Sequence, residues 1–317
     1  MGQKGSEDKR DSIIGLSKSA ATDAIVAEDE TRSPATVSTV LEHVTEDGTV
    51  TRDGVDEAVT DTSMILSTAE TRAELASIAL SDARETAGDA ASIDAVQSRL
   101  ATFDSKVSNV TDRVDELGTT VQELSHWHST SLPIYDVVTG LRHAASEAQT
   151  LTARADDIQL NIEEFEHWLS NHDVRVREVD ADVDALEYAL DDLEQSVERV
   201  ADNDDNADDW LDSMLRYHVS VLLVDDVRAE LVDLREMAAR ADVDDDGLED
   251  GAARLDELDS RVEQLGDRLD ELAQSEWVDE HDEHLASFRA TLNEFEPPIS
   301  WGAVQSELEQ YRPERDA

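Results

Sequence analysis

The longest regular pattern of apolar positions runs from Leu141 to Val200, where apolar residues recur at alternating steps of three and four. The series comprises Leu141, Ala144, Ala148, Leu151, Ala155, Ile158, Ile162, Phe165, Leu169, Val176, Val179, Val183, Leu186, Leu190, Leu193, Val197 and Val200. Neither glycine nor proline falls inside it, and polar His172 is its one interruption. The pattern predicts one continuous helix over residues 134–201, about 90–100 Å long at ~1.5 Å per residue.

Similar patterns predict four more long helices. Residues 53–87 carry a narrow, alanine-rich seam, which implies a close approach to neighbouring helices. Residues 92–127 form a strict heptad run, and residues 208–241 and 248–295 continue the series. The register of the last helix slips near Trp277 and then resumes. Because the connections are short, we expect consecutive helices to pack antiparallel.

The two ends of the chain have a different character. Residues 1–12 are polar, and we expect them to be disordered. Residues 13–60 predict a small helical unit with a turn at Glu46-Asp47-Gly48 and an extended link at Thr49-Val50-Thr51. This unit is either a DNA-binding or regulatory module or a cap on a bundle end, and the acidity of the chain favours the cap. Residues 297–317 predict a short C-terminal helix and tail.

The predicted long helix divides near Phe165 into halves that match the other helices in length. The first half and the two preceding helices predict one bundle over residues 53–165, and the second half and the two following helices predict another over residues 166–296. The predicted fold is therefore all-α and elongated: antiparallel three-helix bundles in tandem that share one long central helix. The architecture is similar to tandem spectrin-like repeats.

Charged residues flanking the heptads predict how the second bundle pairs. The e positions of the second half of the long helix are all acidic: Glu166, Asp173, Asp180, Glu187 and Glu194. The g positions of the last long helix are Arg254, Arg261 and Arg268. Since g faces e between parallel helices, the two rows are expected to meet.

Composition narrows the function. The 317 residues include 77 acidic and 26 basic ones, for a formal net charge of -51. Molar salt screens the repulsion among so many negative charges, so this acidity indicates adaptation to a salt-rich cytosol, with an acidic decoy or cation store as the alternative.

No basic face for nucleic acid is evident, and the absence of cysteine excludes disulfides and thiolate sites. The longest apolar run, Val221–Val224, is too short to cross a membrane, and we expect a soluble, cytoplasmic protein. Met1, Gly2 and Ser6 match the short N-myristoylation pattern, which we interpret as a chance match.

An acidic loop between two predicted helices invites comparison with calcium sites. It begins like an EF-hand loop, with Asp242, Asp244, Asp246 and Gly247. The twelfth position, which should supply a bidentate acid, is Ala253, and the eighth position, normally apolar, is Glu249. We therefore expect an acidic interhelical loop at this point.

Histidines are the other candidate ligands. His281 and His284, near Glu280 and Glu283, have helical spacing for zinc, and His126 and His128 flank a tryptophan, but neither pair has further ligands in an evident place. We expect solvated helix-face histidines in both. His172 lies at a core position of the heptad series, where a polar residue can fix the register of the helices, and its titration would then make assembly pH-sensitive. The alternative is that His172 is a partly exposed residue that the structure tolerates. No catalytic, cofactor-binding or metal residue is assigned, and no cofactor or enzymatic activity is expected.

Four segments carry a resemblance to a known group of proteins. They are Ser12-Ile13-Ile14-Gly15-Leu16-Ser17, Glu46-Asp47-Gly48-Thr49-Val50 ahead of Asp53, Thr68-Ala69-Glu70-Thr71-Arg72-Ala73-Glu74-Leu75-Ala76, and Glu163-Glu164-Phe165-Glu166-His167-Trp168-Leu169. Most of the chain resembles the haloarchaeal coiled-coil proteins labelled "halo transducer protein". The label implies a link to taxis transducers, although the sequence lacks a transmembrane pair and the glycine-rich signalling tip of a receptor.

These features favour a cytoplasmic helical scaffold or protein-interaction protein of a halophile, with a role in signal transduction. The alternative is a regulatory protein that binds a partner through residues 13–60 and dimerises through its coils. The expected partners are proteins, or further copies of the chain joined through coiled coils. Nucleic acid, membrane and small-molecule substrates are not expected.

Overall fold

Ten α-helices and one short hairpin make up the residues that the computed structural model describes, 13–129, 132–202 and 207–313. The helices are α1 (Lys18–Glu28), α2 (Pro34–Glu42), α3 (Arg52–Ala87), α4 (Asp94–Ser125), α5 (Ile134–Ser170), α6 (His172–Ala201), α7 (Ala207–Ala241), α8 (Asp246–Leu272), α9 (Ser275–Leu292) and α10 (Trp301–Tyr311). The strands are β1 (Thr45–Glu46) and β2 (Thr49–Val50), and short 3₁₀ helices, Gly88–Ser92 and Trp127–Ser129, flank α4. The all-α prediction is confirmed.

Helices α3, α4 and α5 form the three-helix bundle of the first unit, which comprises Met1–Glu85 and Leu100–Phe165. Their directions follow from the pairs Arg84–Asp104 (2.5 Å), Trp127–Asp56 (3.0 Å) and Arg72–Asp156 (3.4 Å). Helix α4 therefore runs antiparallel to α3. Helix α5 runs parallel to α3, because Thr86 at the end of α3 bonds to Glu166 further along α5. The buried side of α3 is rich in small residues, namely Ala69, Ala73, Ala76 and Ala83. Small side chains let helix backbones approach closely, as the alanine-rich seam predicts.

The N-terminal elements of the first unit pack on one end of this bundle. At the hairpin turn Asp47 and Gly48 both have positive φ, 47° and 81°, as the mirror-image turns of tight hairpins require. Apolar side chains of α1, α2 and β2 form one core with residues of the bundle end: Ile13, Ile25, Leu41, Val50, Trp127, Ile134 and Leu141. The apolar residues of the segment 13–60 are thus used inside the unit.

Helices α6, α7 and α8 form the three-helix bundle of the second unit, which comprises Thr86–Arg99 and Glu166–Ala317. Arg254 lies 3.3 Å from Glu187 and Arg261 lies 2.5 Å from Glu194, with the same separation of 67 residues in both pairs. Helices α6 and α8 are therefore parallel, and these two arginines meet the acidic row as predicted. Arg268 instead pairs within its own helix, at 2.9 Å.

The prediction of one continuous helix over residues 134–201 is wrong. Helix α5 ends at Ser170 and α6 begins at His172, with Asn171 between them in an extended conformation (φ -127°, ψ 107°). The buried guanidinium of Arg175 donates to the carbonyl oxygens of Trp168 (2.7 Å) and Leu169 (2.8 Å). The Trp168 carbonyl also accepts from the Asn171 backbone N–H at 3.4 Å. The arginine bonds supply partners to the carbonyls at the end of α5, so Arg175 stabilises the broken form.

Two other expectations need correction. The predicted helix over residues 248–295 is also broken, because α8 ends at Leu272 and α9 begins at Ser275, close to the expected slip in register. The segment 86–99, placed above in the bundle of residues 53–165, makes its contacts within the second unit. There the backbone N–H of Ala95 donates to Asp233 of α7 at 2.8 Å.

Candidate functional site

The acidic loop between α7 and α8 uses its carboxylates to shape the turn. The Asp244 side chain accepts a bond from the Asp246 backbone N–H at 3.0 Å, and its charge raises the pKa of Asp246. Gly247 is needed for packing, because a Cβ there would lie 2.7 Å from a methyl carbon of Val176. Among the described residues no group of three or more histidines, aspartates and glutamates is arranged to hold a metal ion.

The histidines of α9 lie against the protein and are not the solvated residues that we predicted. His284 is half-buried, and its Nε2 donates to the backbone carbonyl of Tyr311 at 2.7 Å. His281 is also half-buried and lies beside Trp210, with ring centroids 6.5 Å apart. The pair helps to seat α9 and α10, and the structure does not bring the two imidazoles to a common ligand.

The other predicted histidines have local roles at helix ends. His126 and His128 are exposed, as expected, and His128 stacks on Trp127 with ring centroids 3.8 Å apart. The Trp127 indole N–H donates to Asp56 at 3.0 Å. His172 is the first residue of α6 and is half-buried, so the polar interruption in the heptad series coincides with the helix break.

A charged network lies between α4, α6 and α7 in the second unit, and the sequence analysis missed it. The Arg99 guanidinium stacks over the Trp168 ring at 4.2 Å and lies 2.8 Å from Glu178 and 3.3 Å from Glu230. Burial raises the pKa of Glu230 to about 7. Burial, together with the charge of Glu178, raises the pKa of Asp182 to about 6. The arginine opposes both shifts but does not cancel them.

A groove of about 520 Å³ lies between α6, α7 and α10 in the same unit. Apolar side chains form its walls, and two arginines, Arg216 and Arg312, lie at its edge. Both arginines contact the buried Asp212, at 3.3 Å and 2.9 Å, and Arg312 also lies 2.8 Å from Glu309, so the two positive charges are compensated within the protein. The groove therefore offers shape and apolar surface, with little charge to select an anionic ligand.

The outer face of α3 presents the third feature, an exposed second heptad seam. We call it the outer stripe and define it by Met64, Thr68, Thr71, Leu75 and Ile78, which follow one another at steps of four, three, four and three. All five are exposed, and the apolar members have relative exposures of 59% (Met64), 37% (Leu75) and 48% (Ile78). Helix α3 thus buries mainly alanines, together with Val55, Leu66 and Leu80, and still exposes three large apolar residues in a row on its other side.

The outer stripe is also free of charge in a strongly acidic chain. None of its five members is ionisable, and its extension by the same heptad steps meets Asp61 at one end and Asp82 at the other. Depletion of charged residues and enrichment in apolar ones mark the buried core of protein interfaces. A 4-3 spacing of apolar and small polar residues on a preformed helix suits packing against a partner helix.

No protein-family model, no curated protein and no solved structure matches this chain. None of the helices in the described ranges is long and apolar enough to span a membrane.

Proposed function

We propose that the chain is a helical scaffold that binds protein partners, with the outer stripe of α3 as its docking surface. The supporting observation is the uncharged heptad seam that α3 turns to solvent while its alanines pack inside. The acidic composition supports a cytoplasmic location in a halophile. The resemblance to transducer-like coiled-coil proteins supports a role in signal transduction.

Partner binding through residues 13–60 has less support. Apolar side chains of that segment, such as Leu41 and Val50, form a core with Trp127, Ile134 and Leu141. The exposed apolar face therefore lies on α3, whereas apolar side chains of α1 and α2 are buried in this core. We interpret the N-terminal elements as the cap of the first bundle.

Photocrosslinking tests the docking surface. The chain has no cysteine, so Thr71→Cys creates a single thiol in the outer stripe for a benzophenone label. Illumination in molar KCl with extract of the source cells is expected to give covalent protein adducts from position 71. Asp112→Cys, on the exposed side of α4, is the control and is expected to give few. Equal adduct yields at the two positions, or none at position 71, would contradict the proposal.

A further inference from the structure

The geometry of the outer stripe points to its partner. We infer that the stripe binds the outer stripe of a second copy of this chain, so that two α3 helices pack side by side across a twofold axis. This inference rests on the proposed function, because it names the occupant of the proposed docking surface. Three properties of the stripe support this pairing, namely its shape, its lack of charge and its preorganisation.

The first property is shape. The stripe is confined to two heptads, about 21 Å of helix at ~1.5 Å per residue. Its occupant must be an uncharged helical seam of similar length with the same 4-3 spacing. A second copy of α3 meets these requirements, because an isologous interface joins one patch to itself.

The second property is the lack of charge. Each copy carries a formal net charge of -51, so most surfaces of two copies repel when they approach. Three of the most exposed of the other large apolar side chains stand near acidic residues: Leu160 lies close to Asp156 and Asp157, Tyr188 close to Glu187, and Val232 next to Asp233. The outer stripe brings together five uncharged positions, so pairing there places no like charges opposite each other in the seam.

The third property is preorganisation. Helix α3 is held in its bundle by the buried seam on its other side, so pairing requires little ordering of the backbone. Short isolated coiled coils are marginal because they must form their helices on association. Here that cost is already met in each copy, and a seam of two heptads is long enough for reversible self-association.

Measuring mass against concentration tests the pairing. Sedimentation equilibrium and light scattering of the full chain in molar KCl are expected to show a reversible monomer–dimer equilibrium. Met64→Glu with Ile78→Glu places charge in the seam of both copies and is expected to weaken association more than about 100-fold. Thr71→Leu adds apolar surface to the seam and is expected to strengthen it about 10-fold. Circular dichroism checks that each variant stays folded.

A matched control separates this effect from added charge. Tyr188→Glu with Val232→Glu adds two glutamates at residues that are 70% and 60% exposed, and association is expected to stay within about 2-fold of the original. The pairing is overturned if the unaltered chain is monomeric at every concentration, or if its dimer survives in Met64→Glu/Ile78→Glu. A monomeric chain that still gives adducts with another protein from position 71 would overturn the pairing and leave the docking surface intact.

Discussion

Arg175→Met is expected to lower the free energy of unfolding of the second unit by about 2–4 kcal/mol. Arg175 is 3% exposed, and it donates to two backbone carbonyls at the break between α5 and α6. Methionine fills similar volume but donates no hydrogen bond, so the carbonyls of Trp168 and Leu169 lose the bonds from Arg175, although Trp168 still accepts from the Asn171 backbone N–H at 3.4 Å. Relief from burying a charge offsets part of the loss, because burial already lowers the pKa of the arginine.

Arg177→Met is the control for this prediction. Arg177 lies two residues further along α6, is exposed, and donates to the Asp173 carbonyl at 3.0 Å. Its replacement is expected to cost less than about 0.5 kcal/mol. Urea unfolding in molar KCl, followed by circular dichroism, measures both variants. Equal small effects at the two positions would show that Arg175 does not stabilise the break.

Arg99→Met is expected to cost about 2–4 kcal/mol at pH 8, because it leaves Glu178 and Glu230 without their cation. The side chain of Glu230 is 19% exposed, and water reaches Glu178 and Arg99 to a greater extent. The loss should shrink at pH 5, where Glu230 is protonated in the folded protein. The variant also loses the stacking of Arg99 on the Trp168 ring, and this contribution to the loss of stability does not depend on pH.

Glu230→Gln is the reciprocal variant and should stabilise the protein at high pH. The pKa of Glu230 is raised from 4.5 to about 7 in the folded state, so its contribution is fully present below about 4.5 and is lost as pH rises through about 7. The glutamine removes this dependence and is expected to add about 1–3 kcal/mol at pH 8. The negative charges of Glu178, Asp182 and Asp226 add to the rise in the pKa of Glu230, so the whole network sets the profile.

A double-mutant cycle separates the pair from its surroundings. Arg99→Met should cost less in the Glu230→Gln background than alone, since one buried charge has already been removed. Glu257→Gln, an exposed change on α8, is the control and should leave the pH profile unchanged. The electrostatic account fails if Glu230→Gln shows the same slope between pH 4.5 and 7 as the unaltered chain.

Heptad spacing predicted the helices well because burial of one face repeats along each of them. The expected parallel arrangement of α6 and α8 also predicted that the acidic and basic rows meet, as seen in the contacts of Arg254 and Arg261. Polar His172 marks the break at Asn171, but the apolar spacing resumes in register after it, so the pattern predicted a continuous helix. Arg175 accompanies the break: it is a basic residue near the seam, and it donates to two backbone carbonyls.

The network and the outer stripe were missed for different reasons. Arg99 meets Glu230 only through the packing of residues 86–99 within the second unit, which local spacing does not encode. On α3 both faces follow a helical period, so the spacing alone does not distinguish the buried seam from the exposed one. Alanines at the buried positions were a signal that the larger residues, Met64, Leu75 and Ile78, lie elsewhere.

A spin label at the edge of the outer stripe tests the central claim most directly. Ser67 is exposed on α3 beside the stripe, and Ser67→Cys supplies the only thiol in the chain for a nitroxide. Pulsed electron paramagnetic resonance in molar KCl should detect a defined distance between the labels of two copies, and this signal should vanish when Met64→Glu and Ile78→Glu are added. A signal no different from that of randomly distributed spins, or one that persists in those variants, would contradict pairing of two copies through the outer stripe.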